Sequence, residues 1–238
     1  MSEHRTASRR QSSVTPSTAY RSQAEKAGAR SRTNDPEGTR RNIIAVATAE
    51  FAEKGFSGAR VDEIAARTST SKRMIYYYFG DKEGLFVAVL EEAYRRIRAI
   101  EATLKLDHLD PQSALRALVG FTFDYQNANE DFIRLVMVEN IHGGVHLARS
   151  KVIQELNVSV IDAIRDIYGR GVSAGVFRDG IDEIDLHMSI SALCFFNVAN
   201  RSTFSRIFKR EMDTPPALAR RREVVIDTIL RFVNKARA

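Results

Sequence analysis

Apolar residues recur at helical spacing from residue 34 almost to the end of the chain, and this periodicity is the strongest constraint on the fold. One segment carries Leu85, Val89, Ala93 and Ile97, each four residues after the last. That spacing puts the four side chains on one face of an α-helix. No segment has the sustained two-residue alternation of a half-buried strand. The sequence therefore predicts an all-α protein of about nine helices.

The composition is that of a soluble globular chain. Of its 238 residues 44% are hydrophobic and 28% are charged, which excludes collagen-like and disulfide-scaffold proteins. No apolar run approaches the roughly 18 residues of a membrane span, and the first residues contain no apolar signal core. The single cysteine, Cys194, fits a reducing compartment. We therefore expect a cytoplasmic protein that does not associate with membranes.

Positive charge is concentrated at the start of the chain. Residues 1–33 hold seven basic and two acidic side chains together with eleven Ser or Thr, whereas residues 34–82 hold eight basic and seven acidic side chains. The first segment is therefore predicted to be a disordered basic arm that can follow a phosphate backbone. Two alternatives are a solvated tail without function and an organelle transit peptide, although the segment lacks the amphipathic apolar face of the latter. The imbalance indicates a polyanionic partner, of which nucleic acid is the commonest.

Two short helical segments lie between residues 60 and 79. The first runs from Arg60 to Arg67, and Ser71 is a good N-cap for the second, which reads Lys72-Arg73-Met74-Ile75-Tyr76-Tyr77-Tyr78-Phe79. Two helices joined by a turn of three or four residues form a candidate helix-turn-helix motif.

The second of these helices has the residue types that read DNA. In such a motif the N-terminal end of this helix enters the major groove, so we expect Lys72, Arg73, Tyr76 and Tyr77 to face DNA. Lys and Arg donate to guanine O6 and N7, while Tyr contacts phosphates or thymine methyl groups. Ile75 would pack inward. The alternative, that the aromatic run is ordinary core, leaves at least two of its four rings unexplained, because helical periodicity buries only about two of them.

At these residues the chain resembles the TetR (tetracycline-repressor) family of bacterial transcriptional regulators. The resemblance covers residues 40–90 and includes Phe51-Ala52-Glu53-Lys54-Gly55-Phe56, Val61-Asp62-Glu63-Ile64-Ala65, Ser71-Lys72, Ile75-Tyr76-Tyr77-Tyr78-Phe79 and Asp81-Lys82-Glu83-Gly84-Leu85. Two positions depart from the usual pattern, since Ala59 stands where a capping Thr or Ser is common and Ser69 where the turn usually has Gly.

The resemblance implies a domain organisation and a set of DNA contacts. It implies a DNA-binding domain over residues 34–82 and a helical ligand-binding and dimerisation domain over residues 83–238. The implied DNA-binding residues are Arg60, Ser71, Lys72, Arg73, Tyr76, Tyr77, Tyr78 and Lys82. A member of this family is usually a repressor that binds a palindromic double-stranded DNA operator as a homodimer and is released by a small-molecule effector. Release would follow a movement of the fourth helix relative to the core.

The same resemblance implies that the last two helices, at about residues 183–208 and 217–235, form the dimer interface. Their apolar stripes are Met188, Ser191, Phe195 and Val198 on one helix and Val225, Thr228, Ile229 and Phe232 on the other. Two such pairs can form a four-helix bundle across a twofold axis. A monomer could bury the same stripes, but two half-sites on DNA need two linked DNA-binding domains.

Polar or aromatic residues within apolar helices are the candidates for an effector pocket, because a buried polar group needs a partner. The candidates are Phe121, Tyr125, Arg134, Met137, Asn140, His142, Phe195, Phe196, Asn197 and Asn200, with Asn157 and His187 as further polar groups. An anionic or aromatic effector follows if Arg134 points inward.

Two patterns suggest an enzyme instead, and neither has the structural context that it needs. Gly171-Val172-Ser173-Ala174-Gly175 matches the hydrolase elbow, but no strand precedes it. His142 and His146, with Glu139 nearby, could hold a metal ion, but Gly143-Gly144 interrupts the helix between them. We therefore expect no catalytic activity, no metal and no cofactor.

Overall fold

The computed structural model describes residues 35–235, so the predicted basic arm at 1–33 lies outside the described residues. Within this range the chain forms ten α-helices: α1 (Pro36–Gly58), α2 (Val61–Thr68), α3 (Lys72–Phe79), α4 (Lys82–Glu101), α5 (Pro111–Ala128), α6 (Glu130–Ile141), α7 (Lys151–Ser173), α8 (Glu183–Ala199), α9 (Arg201–Ile207) and α10 (Pro215–Val233). Two short 3₁₀ turns, Leu106–His108 and Leu147–Arg149, precede α5 and α7. The prediction of an all-α fold is confirmed, and the only β-type pairing among the described residues is one bridge between Phe177 and Asn234. None of the described helices is long and apolar enough to cross a membrane.

The predicted helix at 183–208 is two helices, which is why the structure has ten rather than about nine. Asn200 ends α8 and begins α9 with backbone angles outside the helical region (φ −107°, ψ 5°). The apolar periodicity runs on across this break, because α9 presents Phe204 to Phe196 with ring centroids 5.1 Å apart. Periodicity alone therefore could not locate the boundary.

Helices α1 to α3 pack with the first half of α4 into the domain that we call the head. Its core contains the fully buried side chains of Phe51, Ile64, Ile75 and Phe86. Deleting one such Phe side chain typically costs about 3–5 kcal/mol of stability, so these buried rings contribute strongly to the stability of the head. Leu135 of α6 packs into the same core, which connects the head directly to the rest of the protein.

A second apolar core forms between α5, α7, α8 and α10. It contains Leu118, Ile164, Ile190 and Ile229, all fully buried. Residues 37–235 belong to one compact unit. Within it, α4 packs against the other helices of the head and against α7. The division at residue 82 therefore stays a prediction, since α4 packs in the head and also contacts α7.

Candidate nucleic-acid interface and internal cavity

The turn between α2 and α3 is shaped by two serines. Ser69 adopts the left-handed conformation (φ 51°) that favours glycine, and its backbone N–H donates to the carbonyl oxygen of Ala66. Ser71 caps α3, because its hydroxyl accepts a hydrogen bond from the backbone N–H of Met74 at 3.2 Å. The helix-turn-helix geometry is therefore complete although Ser replaces Gly in the turn.

Helix α3 has one buried and one exposed face. Ile75 is fully buried, whereas Lys72, Arg73, Tyr76 and Tyr77 are exposed. Tyr77 has 78% of its surface exposed, which is far more than an aromatic residue of a protein core shows. The face carries two cations and two phenol groups with no carboxylate of its own helix, and this is the chemistry that contacts phosphates and base edges.

The other predicted contacts surround this face. Arg60 is exposed directly before α2, and Tyr78 is half-buried against the exposed ring of Tyr77, with 5.5 Å between ring centroids. The Nζ of Lys72 lies 3.0 Å from a carboxylate oxygen of Asp62 on α2. Because both side chains are exposed, the pair is weak and open to competition by a phosphate.

Lys82 is the first residue of α4 and packs against the end of α1. Its Nζ lies 5.1 Å from the centre of the Phe56 ring and donates to the carbonyl oxygen of Ser57 at 3.4 Å. Burial lowers the pKa of the Lys82 ammonium, and the charge of Glu50 opposes this shift. The side chain is therefore partly packed against the head, and its role as a phosphate contact stays a prediction.

Glu50 is a buried carboxylate that sequence reasoning missed. It accepts hydrogen bonds from Lys54 at 2.9 Å and from the backbone N–H of Arg60 at 3.2 Å. Burial alone would raise the pKa of Glu50, but these bonds and the charges of Lys54 and Arg67 lower it. The carboxylate thus anchors the start of α2, where Arg60 has no side-chain cap. Glu50 lies three residues after the buried Ala47, on the inward face of α1, and this spacing could have indicated that its carboxylate is buried.

A cavity of about 650 Å³ that opens to the surface lies between the second half of α4 and helices α5, α6, α7 and α8. This is the size of cavity that binds drug-sized ligands. Its walls are mostly apolar, with Ile97, Phe132 and Phe195 among them. The polar side chains that reach it are Arg98, Glu101, Thr122, Gln126, Gln154, Asn157, His187 and Ser191.

Of the ten predicted effector-binding residues, only Phe195 lines this cavity. The two further polar groups named with them, Asn157 and His187, line it as well. The other nine lie elsewhere: Phe121, Tyr125, Arg134, Met137, Asn140, His142, Phe196, Asn197 and Asn200. Arg134 is the most consequential correction, because its side chain is 53% exposed and points away from the core toward Glu130, 3.7 Å away. Met137 and Asn140 share that outer face of α6. A polar residue within an apolar helix can face solvent as readily as it can face a pocket. The sequence pattern does not distinguish these two positions.

The cavity's buried polar groups were missed for identifiable reasons. Arg98 and Glu101 are three residues apart on α4, a spacing that is typical of exposed ion pairs, yet both side chains are buried. Gln126 continues the inward stripe of Leu118 and Thr122 on α5 at four-residue spacing. Following that stripe to its end would have identified Gln126.

The loop between α6 and α7 connects the cavity to the head. Gly144 and Leu147 line the cavity. His146 of the same loop packs against Phe56 and Phe86 of the head, with ring centroids 4.6 Å and 5.0 Å apart. The loop therefore touches both the cavity and the head.

The two enzyme-like patterns have structural explanations. The buried carboxylate of Glu139 accepts from the ring Nδ1 of His146 at 2.7 Å, and among the described residues no group of three or more His, Cys, Asp or Glu side chains could hold a metal ion. Ser173 is the last residue of α7, so a helix rather than a strand precedes the G-x-S-x-G sequence.

An exposed cationic helix on a helix-turn-helix head, packed through α4 and α6 against a domain with a ligand-sized cavity, is typical of a DNA-binding regulator of the ligand-responsive type. Two family models match: bacterial regulatory proteins of the tetR family over residues 43–89, and the tetracyclin repressor-like C-terminal domain over residues 111–229. The chain belongs to the TetR family of transcriptional regulators. It is therefore a transcriptional regulator and not an enzyme, and a ligand-responsive DNA-binding repressor fits this family.

Similar proteins carry the same description. The HTH-type transcriptional repressor NicS of Pseudomonas putida is 36% identical over 213 residues, covering 90% of this chain and all of that protein. The HTH-type transcriptional repressor SCO4008 of Streptomyces coelicolor is 33% identical over 160 residues, 67% of this chain and 78% of that one. A tetR-family regulatory protein from Rhodococcus RHA1, 22% identical, has the same fold with a TM-score of 0.66, covering 84% of this chain and 98% of that chain.

Proposed function

We propose that this protein is a cytoplasmic repressor that binds a palindromic DNA operator as a homodimer and is released when a small molecule enters the cavity beside α4. The exposed face of α3, with Lys72, Arg73, Tyr76 and Tyr77 in front of the buried Ile75, is the observation that carries the proposal. Ser71, Arg60, Tyr78 and Lys82 are the proposed supporting contacts. Two linked heads are required because each reads one half-site in successive major grooves.

Operator selection tests this proposal directly. We expect the purified protein to enrich, from a random-sequence duplex library, one inverted repeat whose half-sites are one helical turn or a multiple of it apart. The measurement is sequencing of bound duplexes after repeated rounds. Enrichment of no motif, or of a single non-repeated site, would contradict the proposal.

Helix α4 supports a route from ligand to DNA. It begins at Lys82 in the head and reaches Arg98 and Glu101 at the cavity. A helix rises about 1.5 Å per residue, so Lys82 and Arg98 are about 24 Å apart along one rigid element. A ligand that displaces the C-terminal end of α4 therefore tilts the head and changes the separation of the two α3 helices. The contact of His146 with Phe56 is a second link between cavity wall and head.

An aromatic effector fits the cavity better than the anion that the sequence also suggested. The argument for an anion required Arg134 to point inward, and its side chain points outward. The rings of Tyr94, Phe132 and Phe195 line the cavity and can pack against an aromatic ligand.

The dimer interface that we propose uses exposed faces of α8 and α10. On α10 Val225 and Ile229 are completely buried in the chain's own core, which corrects the stripe predicted from sequence. The exposed stripe is Val224, Thr228 and Phe232, at four-residue spacing. On α8 Met188 is 60% exposed. Apolar surface of this kind favours an interface with a second copy.

Replacing Val224 with Glu tests this interface. A buried, unpaired carboxylate on each side of a twofold contact is strongly unfavourable, so we expect Val224→Glu to be monomeric at micromolar concentration and to lose operator binding. Light scattering after size exclusion measures the mass. The matched control is Val158→Glu, because Val158 is a similarly exposed valine on α7 away from the proposed interface. If Val224→Glu remains a dimer, the interface lies elsewhere.

A further inference from the structure

We propose that the cavity beside α4 takes an uncharged, mainly apolar molecule that accepts a hydrogen bond from Arg98 and donates one to Gln126. This inference rests on the proposed function, since it names the chemical class of the effector. It departs from the anionic effector suggested by the sequence.

Two buried polar atoms on the cavity wall lack partners. The Nε of Arg98 and the Oε1 of Gln126 are buried without a hydrogen bond to any residue that the structure describes. The Arg98 side chain is 10% exposed and Gln126 is 5% exposed, so neither is a surface group. An unsatisfied buried group costs free energy that a bound ligand can recover. Both atoms have almost no exposed surface, so a ligand gains these bonds only if the two side chains rotate toward it, and it then supplies one acceptor for Arg98 and one donor for Gln126.

Two further polar side chains of the cavity wall already donate hydrogen bonds within the protein. Thr122 donates its hydroxyl to the carbonyl oxygen of Leu118 at 2.9 Å, and Asn157 donates to the carbonyl oxygen of Ile153 at 2.8 Å. These two donors are therefore not available to a ligand. Most of its surface would contact side chains such as Ile97 and Phe132.

The charge of the cavity wall is balanced. Arg98 and Glu101 are the only Lys, Arg, Asp or Glu side chains that line it, and the Nη1 of Arg98 is bonded to a carboxylate oxygen of Glu101. Burial, and then the charge of Arg98, lower the pKa of the His187 imidazole, which keeps that ring neutral near neutral pH. Burial raises the pKa of the Glu101 carboxyl, whereas the charge and hydrogen bond of Arg98 oppose that shift. With Glu101 ionised in this pair, an anionic ligand would leave two negative charges against one positive charge, and a cationic ligand would leave the reverse. An uncharged ligand preserves the balance.

Three compounds of one shape but different charge test the inference: 2-naphthamide, 2-naphthoate and 2-naphthylmethylamine. The amide offers a carbonyl oxygen to Arg98 and an N–H to Gln126 without adding charge. We expect isothermal titration calorimetry of the full chain near neutral pH to show the amide binding at least about tenfold more tightly than the carboxylate or the amine. The carboxylate and the amine each carry a net charge that loses its hydration on entering the cavity, whereas the amide does not.

A matched pair of variants tests the contact with Gln126. Gln126→Met keeps the side-chain volume but removes the acceptor, so we expect about a tenfold loss of amide affinity. Gln112→Met makes the same replacement on the same helix, at an exposed residue that does not line the cavity, and should leave affinity unchanged. Circular dichroism establishes that both variants are folded.

The outcomes separate this inference from the proposed function. Carboxylate binding at least as tight as amide binding, absence of binding by the amide, or an unchanged affinity in Gln126→Met would each overturn the inference. Gel shifts with the selected operator are run with each compound. If the carboxylate binds best and releases DNA, the repressor mechanism stands and the ligand class is wrong. If the amide binds as expected but operator binding is unaffected, the ligand class stands and the effector role of the cavity is wrong.

Discussion

Arg73→Ala is expected to weaken binding to the selected operator by about 1–3 kcal/mol, that is about 5- to 150-fold. Arg73 is exposed at the second position of α3, where a side chain reaches base edges when the helix end enters the major groove. A guanidinium that reads guanine contributes to the correct sequence and not to a scrambled one. The ratio of specific to nonspecific affinity should therefore fall with the affinity. Gel-shift titrations of both duplexes at one salt concentration measure this ratio.

Lys82→Ala provides the contrast within the same experiment. A phosphate contact is independent of sequence, so this variant should weaken both duplexes alike and reduce the salt dependence, with a slope about 1 smaller for each head. Arg165→Ala is the control, since it removes one exposed positive charge from α7, away from the head. If Arg73→Ala leaves affinity and sequence preference unchanged while the selected motif is intact, α3 is not the recognition helix.

Glu139→Ala is expected to have the largest effect on stability. The Glu139 side chain is 1% exposed and accepts three hydrogen bonds: from the backbone N–H of His146 at 2.8 Å, from the N–H of Leu147 at 2.9 Å and from the His146 ring at 2.7 Å. Alanine leaves all three groups without this acceptor in a buried site. Loss of one partner of such a buried pair costs about 3–5 kcal/mol of the free energy of unfolding.

Urea denaturation followed by circular dichroism measures this loss, at one protein concentration because a dimer's stability depends on it. The control Glu155→Ala removes an exposed carboxylate from α7 and should change the free energy of unfolding by less than about 0.5 kcal/mol. A Glu139→Ala protein within about 1 kcal/mol of the parent would show that the loop does not depend on this carboxylate. The loop carries His146 against Phe56, so the variant should also loosen the link between cavity and head.

The exposed face of α3 was predictable because its determinants are local. The cap at Ser71 and the inward position of Ile75 follow from the 3.6-residue repeat and from hydrogen bonds within four residues. The same repeat exposes Tyr76 and Tyr77 once Ile75 is buried. The family resemblance then added a role for each exposed residue.

The cavity and the proposed dimer surface were not predictable in the same way. Arg98 and Arg134 are both arginines on amphipathic helices, yet one is buried beside Glu101 and the other is exposed beside Glu130. On α10 the neighbours Val224 and Val225 are both valines, and only the packing of α10 against α5 decides which of them is buried. A sequence pattern locates an apolar stripe to within about one residue, which is too coarse to separate these cases.

By itself, the sequence determined the helical class, the helix-turn-helix and the residues exposed on α3, because backbone periodicity and capping act over a few residues. Only the tertiary structure decided which polar side chains face a cavity, which apolar ones remain exposed, and that Glu139 and His146 form a buried pair. Those outcomes depend on contacts between helices that are far apart in the chain. Such contacts bury one residue and leave another residue of the same type exposed.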